Sequence, residues 1–334
     1  MQQAVAGTVA ALTGRAAASG DALMPAFTHF RPAQPVLVAH FFLAHVAPLR
    51  RDHARLAAAR AEADALPLGS GAVAGASYDI DVDALARELG FSRVVVNSID
   101  ASSDRDFAAA FLYACAMCMI HLSRLAEDLI IFSGDEHRFF ELSDALSTGS
   151  SMMPQKKNPD PLELVRGKSG RAVGHLAGLL TMMKGLPSGY NKDLQEDKQA
   201  VFDAEDTLAG CLAAVRLVVE GLTINADGAA AAASGLLVAT DVADYLVGRG
   251  VPFRRAHEMV GTLVRRLVAE GREFTELSLE EWRDASELFG DDIVSHVTPG
   301  ASVGRKRTPQ STAPAAVKAA LAEVLRWLEG AGGT

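Results

Sequence analysis

Fourteen consecutive apolar residues, Phe107 to Ile120, constrain this chain more than any other stretch. As a helix they rise only about 21 Å, short of the roughly 30 Å hydrocarbon core of a bilayer. The run therefore predicts a helix buried in protein, not a membrane span. Its pattern continues from Ala101 to about Ser133 and turns amphipathic through Arg124, Glu127 and Asp128. A helix apolar on nearly every side must lie at the centre of a bundle or at a subunit interface.

Partners for it are legible elsewhere. Residues 1 to 19 read as the tail of a helix, and helical spacing of apolar residues runs from Val36 to about Leu66, from Pro159 to Leu186 and from Ala200 to Ile224. Aromatic residues are only 6% of the chain while Ala, Leu and Val dominate, which favours helices. After Asn225 to Gly228 the helices shorten and Gly and Pro become more frequent. The fold class expected is all-α: a long central bundle over residues 1–225, with a functional loop at 144–160, and a small helical domain over 226–334.

Composition removes several function classes. The formal net charge is −9 and no Lys/Arg run is paired with aromatics, so nucleic acid is not an expected partner. Three cysteines make no disulfide framework, and the lone CxxC of Cys115 and Cys118 falls in the apolar run, where small core residues are expected. A reducing, cytoplasmic setting fits, and the N-terminus lacks the basic and apolar regions of a signal peptide. His40 and His45 stand five apart rather than at the metal-binding spacing of four. His257 and Glu258 begin an HExxH pattern that Gly261 breaks, and neither the GSGAVAG run after Leu68 nor the GKS of Gly167 to Ser169 has phosphate-loop spacing. No metal and no cofactor are implied.

The chemistry concentrates in Asp144 to Arg171, where five bases and three acids make a positive island. Thr148, Gly149, Ser150 and Ser151 offer small side chains, hydroxyls and backbone donors, which suits a loop that closes over a ligand. Lys156, Lys157 and Asn158 precede Pro159 at a helix start, a seat suited to a carboxylate. Glu163 lies in the first turns of that helix, where it can orient a His from another segment. A solvated surface loop beside a salt-bridged helix would show the same composition.

GSSMMPQKKNPD, residues 149–160, resembles the signature loop of the fumarase/aspartase superfamily, and its QKKNPD ending is similar to that of argininosuccinate lyases. The resemblance implies that Ser150 is the catalytic base and that Lys156 and Asn158 bind a substrate carboxylate. MPAFTHFRPAQP (Met24 to Pro35) resembles a second family segment, which implies that Thr28 and His29 line the site with His29 paired to Glu163. Arg31 departs there from the usual Gln. GSGAVAGASYDID, NSIDASSDRDF and YNKDLQEDK also resemble family segments, and the last implies that Tyr190, Gln195 and Lys198 contact the arginine-bearing part of the substrate. Ala239 to Gly261 is similar to the family's small C-terminal helical domain.

The implied fold is a helical bundle of the fumarase/aspartase type. The implied activity is cofactor-free β-elimination of argininosuccinate to arginine and fumarate, in sites built where three subunits of a homotetramer meet. Nothing in the chain matches the family's N-terminal domain with its Ser-Arg-Asn-Asp segment, so two of three site parts are expected here and a complementary N-terminal chain would supply the third. Two alternatives stay open: a catalytically silent member acting as a structural or interaction subunit, and a lyase for another succinyl substrate.

Overall fold

The computed structural model describes residues 1–149 and 151–331. In chain order it runs α1 (Gln2–Ala18), β1 (Leu23–Thr28), β2 (Arg31–Leu37), α2 (Val38–Ala63), α3 (Val82–Leu89), α4 (Ser98–Ser103), α5 (Asp106–Ser133), α6 (Asp160–Met183) and α7 (Asp197–Gly221). Then come α8 (Ala226–Ala232), α9 (Ala239–Val247), α10 (Phe253–Glu270), α11 (Leu279–Ala285), α12 (Ile293–His296), α13 (Pro299–Gly304) and α14 (Pro314–Ala331). The chain is all-α as its composition implies, and its few strands are short two-stranded ladders among the described residues.

Five long helices form the bundle. Around it α1 packs on α2, α2 on α5, α5 on α6, α6 on α7 and α7 on α1, and α5 also contacts α7. The centre is therefore the apolar helix picked out by the sequence. By length and hydropathy α5 would also qualify to cross a bilayer. Here one side of it packs in the core, with Leu112, Cys115, Cys118, Met119 and Leu122 all fully buried, while Phe107, Tyr113 and Ile120 are exposed.

The helix expected to begin at Ala101 is instead two helices, α4 and α5, with a break at Asp104 and Arg105. Asp104 Oδ1 accepts from the Asp106 backbone N–H at 2.7 Å and so takes one of the donors at the start of α5. A polar SSDR run offers its own hydrogen bonds to the backbone, and these compete with helix continuation.

One buried charge crosses the bundle. Asp52 is fully buried. It accepts from Arg55 at 2.8 Å and from His121 Nδ1 at 2.7 Å, which ties α2 to α5. The Cys118 thiol also bonds to it, and burial, then the Asp52 charge, pushes that thiol well above its usual range. Asp52→Ala would strand two polar partners in the core, and we expect a loss of about 3 kcal/mol of unfolding free energy in urea titrations.

Residues 226–334 were expected to form one small domain, and the packing divides them differently. Val238, Val242, Leu246, Leu263, Trp282 and Ile293 share a second core. By contrast α8 buries Ala229 in the bundle core, and α14 returns to α1 and α2, placing Val317 and Val324 there. The apolar stripe of α14 needs cover, and the surface of α1 and α2 supplies it. A bond from the Leu37 backbone N–H to Thr312 Oγ1 at 2.7 Å holds the returning chain.

Candidate active site

The bundle has two ends, and each carries part of the expected site. At one end α5 and α7 finish and α2 and α6 begin. Here MPAFTHFRPAQP is the antiparallel hairpin β1–β2 with an irregularity between Ala26 and Phe27. Phe27 anchors it, its ring centroid 5.3 Å from that of Phe132 and 5.5 Å from that of His137. Thr28 pairs with Arg31, so His29 and Phe30 alone make the turn, with φ of 54° and 56°. Positive φ at both central positions matches the twist of paired strands but is costly for side chains other than Gly or Asn. The fold thus holds His29 in a strained, exposed position beyond the end of the bundle.

At the same end the signature loop is itself pinned as a small hairpin. Thr148 pairs with Asn158 and Gly149 with Lys157. Ser150 lies outside the described residues. The two adjacent lysines separate in role: Lys157 Nζ meets Asp144 at 2.6 Å and Glu141 at 3.1 Å. The hydrogen bonds that Lys157 donates to those two carboxylates, Asp144 first and then Glu141, hold its ammonium above its ordinary pKa. Lys156 has no acidic partner among the described residues. Its backbone N–H bonds to Met153 O at 3.0 Å, and its ammonium stays exposed and available to a ligand.

Glu163 is exposed in the first turn of α6. Among the described residues no bond joins it to His29, so the expected pair is not made within one chain. Packing explains this: α6 lies against α5 and α7, whereas the hairpin lies against α2 and α8.

The opposite end carries the remaining segments. Tyr190 Oη accepts from Gln195 Nε2 at 2.6 Å, and Lys198 Nζ meets Asp197 at 2.8 Å. Asp197 is buried and also accepts from Arg105 Nε, which comes from the break before α5. Burial alone would raise the Asp197 pKa, but bonds from Lys198 and Arg105 outweigh it and hold the carboxyl below its ordinary value. Asp104, Arg105, Asp197 and Lys198 share the wall of a cleft of about 470 Å³. Sequence reasoning singled out Lys198 and missed that Asp197 and Arg105 hold it. Neither SDRDF nor QEDK taken alone signals that pairing.

The GSGAVAG loop joins this end through Ser98 Oγ, which donates to Val73 O at 2.7 Å. Gly71 at φ 57° explains the glycine there, because a Cβ would lie 2.3 Å from the Gly75 carbonyl oxygen. That loop is a tight backbone turn, in which the Gly75 N–H bonds to Ser70 O at 2.9 Å.

The 24 residues of α6 separate the two ends. At about 1.5 Å per residue that is roughly 36 Å. Lys156 and Asn158 precede the helix and Tyr190, Gln195 and Lys198 follow it. One small ligand cannot touch both groups in one chain.

Comparison with known proteins gives this division its context. Residues 2–174 match the lyase family, and residues 236–304 match the argininosuccinate lyase C-terminal family. The chain is 48% identical over 331 residues to an argininosuccinate lyase of Moorella thermoacetica, covering 99% of this chain and 71% of that protein. It is 50% identical over 293 residues to one from Sulfurihydrogenibium sp., covering 88% of this chain and 64% of that protein. It thus spans about two thirds of the length of these relatives.

Among solved structures, EDDS lyase in complex with formate superposes with a TM-score of 0.92 at 29% identity, over 99% of this chain and 68% of that one. The 3-carboxy-cis,cis-muconate lactonizing enzyme of Pseudomonas putida, at TM-score 0.80 and 21% identity over 97% of this chain and 72% of that one, shares the fold. With its bundle of the fumarase/aspartase type and close to half its residues identical to theirs, the chain belongs to the argininosuccinate lyase family.

Proposed function

We propose that this chain carries out an argininosuccinate lyase reaction, β-elimination to arginine and fumarate, in sites assembled between copies of itself. The reaction removes a weakly acidic proton from the carbon beside a carboxylate. The carbon–nitrogen bond then breaks, and the guanidino nitrogen leaves with a proton as arginine. Negative charge that builds on the carboxylate needs preorganised donors, and Lys156 and Asn158 are assigned that work. Ser150 takes the proton, aided by the cationic loop and its backbone donors. Thr28 lines the same pocket, and His29 with Glu163 of another copy handles a proton or orients substrate. Tyr190, Gln195 and Lys198 hold the arginine-bearing part, from the far end of another copy.

The observation that carries this reading is the uncompensated Lys156 beside a fully compensated Lys157. A merely solvated loop gives no reason for two neighbouring lysines to differ so. The reading includes a homotetramer, a cytoplasmic setting and a place in arginine biosynthesis. Where the remaining third of the relatives' length supplies a site part, a complementary chain would complete the site.

The test is ultraviolet detection of fumarate from argininosuccinate, with the purified chain alone and with the rest of a full-length relative added. Lys156→Ala should lower turnover about 10²-fold or more, the cost of removing one preorganised donor at developing charge. Lys157→Ala should lower it far less. No fumarate under either condition would favour a silent structural subunit or another succinyl substrate. Equal effects of the two lysine variants would remove the role given to Lys156.

A further inference from the structure

The small core carries a cleft that the reaction does not use. One face of α9, bearing Asp241, Asp244 and Tyr245, forms one wall with Gly248 just beyond it, and the basic run after α13 forms the other. The cleft encloses about 330 Å³, within the size range of small-molecule sites. Four cations line it: Arg249, Arg305, Lys306 and Arg307. They face the carboxylates of Asp241 and Asp244, and Arg249 also meets Asp292, which leaves one positive charge in excess in a chain whose formal net charge is −9.

An internal ion-pair network accounts for only part of this cluster. Asp241 is buried, and both its oxygens are taken, one by Ser302 Oγ at 2.6 Å and the other by Lys306 Nζ at 2.9 Å. Arg305 sits 3.8 Å from the same carboxylate and spends one terminal nitrogen on His296 O at 2.7 Å. Arg249 lies over the Tyr245 ring, 3.6 Å from its centroid, and gives one terminal nitrogen to Asp292. Its other guanidinium nitrogens, those of Arg305, and the whole of Arg307 have no acceptor among the described residues. His296 also lines the cleft, and burial, then the Arg305 charge, lowers its pKa, so the neutral ring adds no further charge at pH 7.

Unspent donors thus converge on a concave space from two segments far apart in sequence. We propose that this cleft binds a small multiply charged oxyanion, the chemistry shared by a phosphate group and a compact dicarboxylate. Planar guanidinium forks match such oxygens in pairs, and Arg249 is already oriented by its aromatic stack and by Asp292. The site lies in the second core, and the proposal stands independently of the elimination chemistry.

Isothermal titration of the full chain at low ionic strength, with inorganic phosphate in one arm and succinate in the other, tests it. Saturable binding in at least one arm is expected, weakening as salt is added. The arm that binds identifies the source of the anion. Arg307→Gln, at an exposed residue without a partner among the described residues, should keep the wild-type melting curve and raise Kd about tenfold, the equivalent of one charge-assisted hydrogen bond. Arg249→Gln should weaken binding as well. Absence of saturable binding in both arms overturns the proposal. So does wild-type affinity in Arg307→Gln, because the anion would then be held elsewhere.

Discussion

Fumarate release from argininosuccinate is expected to fall about 10²- to 10⁴-fold when Ser150 is replaced by alanine, the range over which a positioned proton acceptor contributes. A hydroxyl is a poor base in water. It serves only where fixed positive charge and donors favour its alkoxide, and the neighbourhood supplies both. Lys156 has no carboxylate partner among the described residues, and the strands that flank the loop pair Thr148 with Asn158 and Gly149 with Lys157. The measurement is kcat at saturating argininosuccinate, with circular dichroism to confirm that the variant folds. Turnover within a few-fold of wild type would end the assignment of Ser150 and move the search for the base to His29.

Mixing two inactive variants should restore activity. Lys156→Ala damages the end of the bundle where α6 begins, and Lys198→Ala damages the end where α7 begins. Roughly 36 Å of helix separates the two positions, so a site that uses both draws them from different copies. In an equal mixture that has exchanged subunits, about a quarter of sites would receive both ends intact, by random assortment of copies in a symmetric oligomer. Activity near a quarter of wild type is therefore expected after unfolding and refolding the variants together, against almost none for either alone. The double variant Lys156→Ala/Lys198→Ala mixed with itself is the control. No recovery in the mixture would show that the two ends do not serve one site.

Much of this was legible in the chain. The apolar run at Phe107 to Ile120 announced a central helix because a surface apolar on all sides must be covered, whatever covers it. The all-α class followed from 3.6-residue spacing in four other stretches, and the family followed from residues 149–160 and 190–198. Local chemistry was readable for the same reason: a Pro, a Gly and two lysines at a helix start act through the backbone beside them.

Other features depended on contacts between distant residues. The hairpin at Leu23–Leu37 was hidden by three prolines, which are tolerated on edge strands that need few ladder bonds. The return of α14 to the bundle was invisible because an amphipathic stripe states that it needs a partner and not which one. Nothing in KKN says that Lys157 meets Asp144 and Glu141 while Lys156 does not, and nothing in DK says that Arg105 will share Asp197.

The sequence by itself determined the long helices of the bundle, the need to cover the apolar one among them, and the family, since these rest on periodicity and on short runs of neighbours. Only the tertiary structure decided that Lys156 and Lys198 stand at opposite ends of the bundle. That follows from the length of α6 as a rigid rod between them, a distance that no spacing along the chain expresses.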